Sequence, residues 1–173
     1  MTNRSLRADD WAAEALHKYA DMVYRLAYAQ TRNRTDTDDI FQEVFIRLVK
    51  KGPGFESDEH MKAWLIRVTV NCAKGMWLSS WKRRMVFWED RDLAKIPAEE
   101  APAGNGALEE AMDSLPMNQR QVIHLFYYEE MSVEEIGEAL DEKPSTIRSQ
   151  LSRARKALKK KLTGEEAKRH VQR

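Results

Sequence analysis

Cysteine is almost missing from this sequence: Cys72 stands alone among 173 residues. One thiol excludes an internal disulfide framework and any zinc site built on cysteines. Cys72 itself is expected to be a small buried hydrophobe on a helix face. Seven glycines and five prolines leave no glycine-rich phosphate loop, and their scarcity makes each cluster useful as punctuation. No apolar run approaches the ~20 residues of a bilayer span, and the N-terminal residues lack the apolar core of a signal peptide. No membrane insertion is therefore expected, and the cytoplasm is the expected compartment. The four histidines, His17, His60, His124 and His170, are scattered without metal-ligand spacing. No nucleophile–base pair stands out either, so no metal, cofactor or catalytic residue is assigned. Charge of one sign is also lacking overall, with 29 Lys and Arg against 28 Asp and Glu. Only the clustering of charge carries information about partners.

What the chain does have is helical periodicity, and it is clearest from Met131 to Leu162. Val133, Ile136, Ala139 and Leu140 recur at helical spacing, with Glu134, Glu135 and Glu138 on the other side. Ser132, with Glu135 three residues later, has the capping-box arrangement of a helix start. Asp141–Lys143 form a break, and Pro144 suits the first position of a new helix because its missing N–H would be unpaired there anyway. In that helix Ile147, Leu151, Ala154 and Leu158 mark a buried stripe. Arg148, Ser149, Gln150, Ser152, Arg153, Arg155, Lys156, Lys159, Lys160 and Lys161 are expected to face outward. No acid occurs between Lys143 and Leu162. A solvated basic helix is the plain alternative, but one-sided charge following an acidic helix across a short turn fits a helix-turn-helix that lies against DNA. Arginine and glutamine early in the second helix suit base edges, and the later cations suit phosphates.

The rest of the chain reads as helices too. Residues 9–31 predict a first helix with Ala12, Ala15, Leu16, Tyr19, Val23, Leu26 and Ala27 facing inward. Thr35 with Asp38 predicts the start of a second, whose apolar face is Ile40, Phe41, Val44, Phe45, Leu48 and Val49. Gly52-Pro53-Gly54 ends it. A third helix is expected over about 60–81, with Met61, Trp64, Leu65, Val68 and Cys72 inside and Arg67, Asn71 and Lys74 opposite. It runs into Trp77, Trp81, Lys82, Arg83, Arg84, Phe87 and Trp88. Rings beside cations suit stacked single-stranded bases; packing of the tryptophans between helices suits the same residues. Residues 89–107, with Pro97, Pro102, Gly104, Gly106 and an acidic bias, read as a linker. Two further helices are expected over 108–114 and 118–129, the latter with Val122, Ile123, Leu125, Phe126 and Tyr127 as core candidates. Gly164 is expected to stop the last helix before a frayed tail over 163–173. The expected fold is all-α, with small helical domains over 9–88 and 108–162 joined by the linker.

The order of these motifs resembles the bacterial RNA polymerase sigma factors of the extracytoplasmic-function type. The residues that carry the resemblance are Asp39-Ile40-Phe41-Gln42-Glu43-Val44-Phe45, Phe55, and Trp64-Leu65-Ile66-Arg67-Val68 through Asn71. In the second half they are Leu115-Pro116, Ser132–Leu140, Thr146-Ile147-Arg148-Ser149 and Ser152-Arg153-Ala154-Arg155. The resemblance spans about Trp11 to Leu162 and implies promoter-specific initiation by −35 recognition and −10 melting. It implies core polymerase (through its β′ clamp helices and β flap), promoter DNA and an anti-sigma factor as partners. Asp39, Gln42, Glu43 and Phe45 would dock on the clamp helices. Phe55, Asp58, His60 and Asn71 would border the pocket for a flipped −10 base, with Arg67, Lys74, Lys82, Arg83 and Arg84 on the backbone. Arg148, Ser149, Gln150, Ser152 and Arg153 would read the −35 element, with Arg155, Lys156 and Lys159 on phosphates. Asp141 departs from the family at a turn position where glycine is common, as does Glu142 where an apolar residue is usual. Gln150 and Ser152 replace an arginine and an aromatic of some members, so no relative's promoter sequence transfers. A stand-alone helix-turn-helix regulator is the alternative. A small nucleic-acid-modifying enzyme is a third class, one for which no site is legible.

Overall fold

The computed structural model describes residues 5–87 and 106–171, with side chains over 10–76, 78–79 and 106–164. All seven described elements are helices, and the chain divides into two compact units at Pro97/Ala98.

The first unit contains α1 (Ser5–Thr31), α2 (Arg34–Lys51) and α3 (Asp58–Phe87). Each contributes an apolar stripe to one core. Val23, Leu26 and Ala27 come from α1, Ile40, Val44 and Leu48 from α2, and Leu65, Ile66 and Val70 from α3, all of them buried. The link between α1 and α2 turns on Arg32, whose φ of 50° is left-handed. α2 starts earlier than expected: Asn33, not Thr35, is the N-cap, and its Oδ1 accepts from the Asp36 N–H at 3.0 Å. Asparagine is among the best caps. The Thr31 and Thr37 hydroxyls, 2.8 Å apart, lock this corner, Thr37 also donating to the Asn33 carbonyl at 2.7 Å. Gly52, at φ 81°, closes α2 as expected.

α3 differs from expectation in its buried face. Leu65, Ile66, Thr69, Val70 and Ala73 point inward, whereas Trp64, Val68 and Cys72 are only half-buried. A polar residue inside the stripe disguised it. The Thr69 hydroxyl returns to the Leu65 carbonyl at 2.7 Å, so its burial leaves no donor unpaired. Burial still pushes the Cys72 thiol above its ordinary pKa. On α2, Val49 was expected inside and is exposed, and on α1 Leu16 is exposed.

The second unit contains α4 (Gly106–Asp113), α5 (Met117–Tyr127), α6 (Val133–Leu140) and α7 (Pro144–Val171). Its core joins Ala111, Leu115, Val122, Ile123, Leu125, Ile136, Ala139, Ile147, Leu151 and Ala154. The capping box is formed in both directions: the Ser132 N–H donates to Glu135 Oε2 at 2.7 Å, and the Glu135 N–H donates to Ser132 Oγ at 3.1 Å. The turn to α7 is a Schellman motif. Asp141 takes the left-handed conformation at φ 55°, and the Glu142 N–H reaches back to the Gly137 carbonyl at 2.8 Å. Aspartate tolerates that conformation, so glycine is not required at 141. Two expectations fail. Gly164 does not stop α7, which continues to Val171; a glycine in a helix interior costs only about 1 kcal/mol relative to alanine, and Gly164 is not left-handed. Tyr127 is exposed rather than core.

Candidate nucleic-acid and polymerase interfaces

The outer face of α7 is set by the inner one. Because Ile147, Gln150, Leu151 and Ala154 are buried, Arg148, Ser149, Ser152, Arg153, Arg155, Lys156 and Lys159 all lie exposed on the remaining surface. Gln150 is the exception to the expected reading face. It is 8% exposed, and its Oε1 lacks a hydrogen-bond partner. Glutamine's place in the basic run hid its inward register, three residues after Ile147 and four before Ala154.

Two of the arginines are held by side chains from other helices. Arg148 Nη2 donates to Glu134 Oε1 on α6 at 2.7 Å. Arg155 Nε donates to the Tyr127 hydroxyl on α5 at 2.8 Å, and its guanidinium lies 5.1 Å and 5.6 Å from the Phe126 and Tyr127 ring centres. In sequence Glu134 falls on a solvated acidic face and Tyr127 among the core candidates, neither with a role at the site, because the partner comes from 14 and 28 positions away. If Arg148 makes a bidentate base contact, Arg148→Ala is expected to cost about 1–3 kcal/mol at one base position. Lys156→Ala is expected to weaken binding to every sequence alike and reduce the salt slope by about one. Competition among single-base variants of the DNA separates the two patterns.

In the first unit the structure gathers an aromatic cluster at the α2–α3 loop. The Phe55 ring meets His60 and Trp64 edge to face, at 5.6 Å each. Lys51 Nζ lies 4.8 Å from the Phe55 ring centre. His60 is fixed by its surroundings: Ser57 Oγ accepts from its N–H at 3.1 Å, and its Nδ1 accepts from the Glu56 N–H at 3.3 Å. Asp58, expected at the same pocket, turns instead to α1, where its carboxylate meets Lys18 Nζ at 2.6 Å. That hydrogen bond raises the Lys18 pKa. Arg67, Asn71 and Lys74 are exposed along α3 at four- and three-residue spacing. Asn71 lies about 10 Å along the helix axis from Trp64, so it extends the surface and does not close the cluster. Lys82, Arg83 and Arg84 continue the α3 backbone; their side chains, like those of Trp77, Trp81 and Phe87, and residues 88–105, lie outside the described residues.

On α2, Asp39 and Gln42 are exposed, and Glu43 is half-buried and paired with Arg47 Nε at 2.6 Å. Phe45 is half-buried, its ring 4.9 Å from Phe41, which in turn meets Tyr24 at 6.0 Å. Beside these polar groups Ile46 and Val49 stand 48% and 61% exposed. Among the described residues no group of three His, Cys, Asp or Glu has the placement to hold a metal ion, and no helix is long and apolar enough to cross a membrane.

One unit thus carries a basic helix-turn-helix, and the other carries an aromatic–cationic cluster and an acidic–apolar face of α2, surfaces of the kind expected in a DNA-binding protein. Comparison with known proteins says which. The family model for sigma-70 region 2 matches residues 15–83, and that for sigma-70 region 4 matches residues 105–158. The chain is 35% identical to the ECF RNA polymerase sigma factor SigE of Mycolicibacterium smegmatis over 84% of its own length and 59% of that relative's. It is 30% identical to the ECF RNA polymerase sigma-E factor of Escherichia coli, covering 84% of this chain and 81% of that one. Among solved structures, the sigma factor RpoE of Bartonella quintana, in complex with the anti-sigma factor NepR, superimposes with a TM-score of 0.68 at 22% identity, over 87% of this chain and 96% of that one. The chain belongs to the extracytoplasmic-function sigma factors, which give RNA polymerase its promoter specificity.

Proposed function

We propose that the first unit docks on core RNA polymerase through the exposed face of α2 and holds the melted −10 element against the Phe55–His60–Trp64 cluster. The second unit reads the −35 element with Arg148, Ser149, Ser152 and Arg153 and holds phosphates with Arg155, Lys156 and Lys159. The observation that carries this is the separation of surfaces: an Asp39–Gln42–Glu43 face with exposed aliphatics on one unit, and on the other a cationic helix with no acid from Pro144 to Gly164. A protein face of mixed polar and apolar groups suits a protein partner. Edge-to-face rings beside Lys51 suit unpaired bases. The chain works by binding, with the polymerase performing the chemistry in the cytoplasm. An anti-sigma factor is a further proposed partner, on the strength of the solved relative held by one.

Run-off transcription tests this reading. The protein would be added to bacterial core polymerase and a pool of promoter fragments without another specificity factor. Selective transcripts are expected, and Gln42→Ala with Glu43→Ala is expected to abolish them. Tight binding to duplex DNA with no transcript would instead favour a stand-alone regulator.

A further inference from the structure

The base-reading role of Arg148 leaves its acidic partner without a purpose. Glu134 is the second residue of α6, and its side chain is 64% exposed where that of Arg148 is 60%. A pair this wet contributes little to stability. α6 does not need Glu134 for its start either, since Ser132 and Glu135 already cap it. An acid beside a DNA-facing arginine also opposes the approach of phosphates.

We propose that Glu134 is a specificity-determining residue for the −35 element, acting by positioning Arg148. The inference rests on the reading of Arg148 as a base-contacting residue. Holding Nη2 on a carboxylate fixes the plane of the guanidinium and leaves its other N–H donors for one base edge. Rotamer freedom is thereby lost before DNA arrives and not during binding. The pair is also close to neutral, so Arg148 adds discrimination without adding general attraction to phosphates. Arg155 shows the contrasting arrangement. Its anchor, Tyr127, is uncharged, so its full positive charge remains for the backbone.

The test uses holoenzyme assembled from the full chain and core polymerase. It would select from promoter duplexes randomised over the upstream element, at several salt concentrations, with the bound fragments sequenced. Arg148→Ala is expected to relax preference at one base position by about 5- to 150-fold. Glu134→Gln is expected to relax the same position by about 3- to 10-fold, because the charge-assisted bond that restrains the guanidinium becomes a neutral one roughly half as strong. It should also raise total binding and steepen the salt slope by about one. Glu138→Gln removes the same charge one turn further along α6 and is expected to steepen the slope without moving the preference. An unchanged preference with Glu134→Gln overturns the inference whatever the slope does, because losing any nearby acid steepens it. If Arg148→Ala relaxes one position and Glu134→Gln relaxes none, only the role of Glu134 falls. If Arg148→Ala itself leaves preference intact, the base-reading assignment falls and takes this inference with it.

Discussion

Gly137→Ala is expected to destabilise the second unit by about 1–3 kcal/mol, the usual range for forcing a methyl group into a packed site. Helix propensity predicts the opposite sign, since alanine in a helix interior is favoured over glycine by about 1 kcal/mol. Space decides between them. A Cβ on Gly137 would lie 2.7 Å from the Glu142 carbonyl oxygen, with Pro144 N and Cδ at 3.6 Å and 3.7 Å. The closest atom is backbone, in the turn that the Glu142 N–H to Gly137 carbonyl bond holds shut. It cannot swing away as a side-chain end would. Relief therefore requires the start of α7 to move relative to α6, which also displaces Arg148 from Glu134. Small domains hold only about 0.05–0.15 kcal/mol per residue, so such a loss is a large part of this unit's stability. Gly75→Ala supplies the contrast: nothing lies within 4 Å of a Cβ there, and a gain of about 0.5–1 kcal/mol is expected on α3. Denaturant unfolding followed by circular dichroism would show the two changes in different transitions. Stabilisation by Gly137→Ala would mean that the turn yields more readily than its hydrogen bonds suggest.

Such close approaches are where sequence reasoning reaches its limit. The α6–turn–α7 segment was legible almost residue by residue, because Ser132, Glu135, Asp141 and Pro144 each specify a local backbone state. The all-α class was legible from periodicity. The face of α3 was misread because a threonine that bonds its own helix looks polar in sequence and behaves as core in the fold. Gln150 was misread for the converse reason: it stands among cations, yet its register with Ile147 and Ala154 turns it inward. Asn33 displaced Thr35 as the cap because its own Oδ1 accepts from the Asp36 N–H, while the Thr31 and Thr37 hydroxyls lock the α1–α2 corner around it. Of the candidate site, the exposure of the cationic row on α7 was readable from spacing, whereas the Asp39–Gln42–Glu43 face entered as a docking surface through the family resemblance. The anchors Glu134 and Tyr127 were not readable, since only tertiary packing brings α6 and α5 against α7. Lys51 over Phe55 was missed because the Gly52-Pro53-Gly54 turn between them reads only as a helix stop.

Charging the exposed aliphatics of α2, Ile46→Lys with Val49→Lys, is expected to lower affinity for core polymerase by about 30- to 1,000-fold, two partly exposed side chains of this size being worth roughly 1–2 kcal/mol each when buried at an interface. Val49 was expected inside, as part of a face with Leu48; the structure instead buries Thr37, Ile40, Val44 and Leu48. Asp39, Gln42, Ile46 and Val49 then follow one another at three- and four-residue spacing along the outer surface. Apolar groups left about half in water at the C-terminal end of that row gain little for the fold. Their removal should leave the stability of the first unit within about 0.5 kcal/mol of the parent, as for surface changes generally. The double variant therefore separates docking from folding more cleanly than Gln42→Ala with Glu43→Ala, where breaking the Glu43–Arg47 pair also alters α2 itself. Titration of labelled core polymerase with each variant, alongside its unfolding curve, gives both quantities. Undiminished affinity with intact folding would move the docking face off Ile46 and Val49 and leave the polar row to bind alone. Lost affinity would assign the centre of the contact to the two aliphatics, with Asp39, Gln42 and Glu43 as the rim that sets orientation.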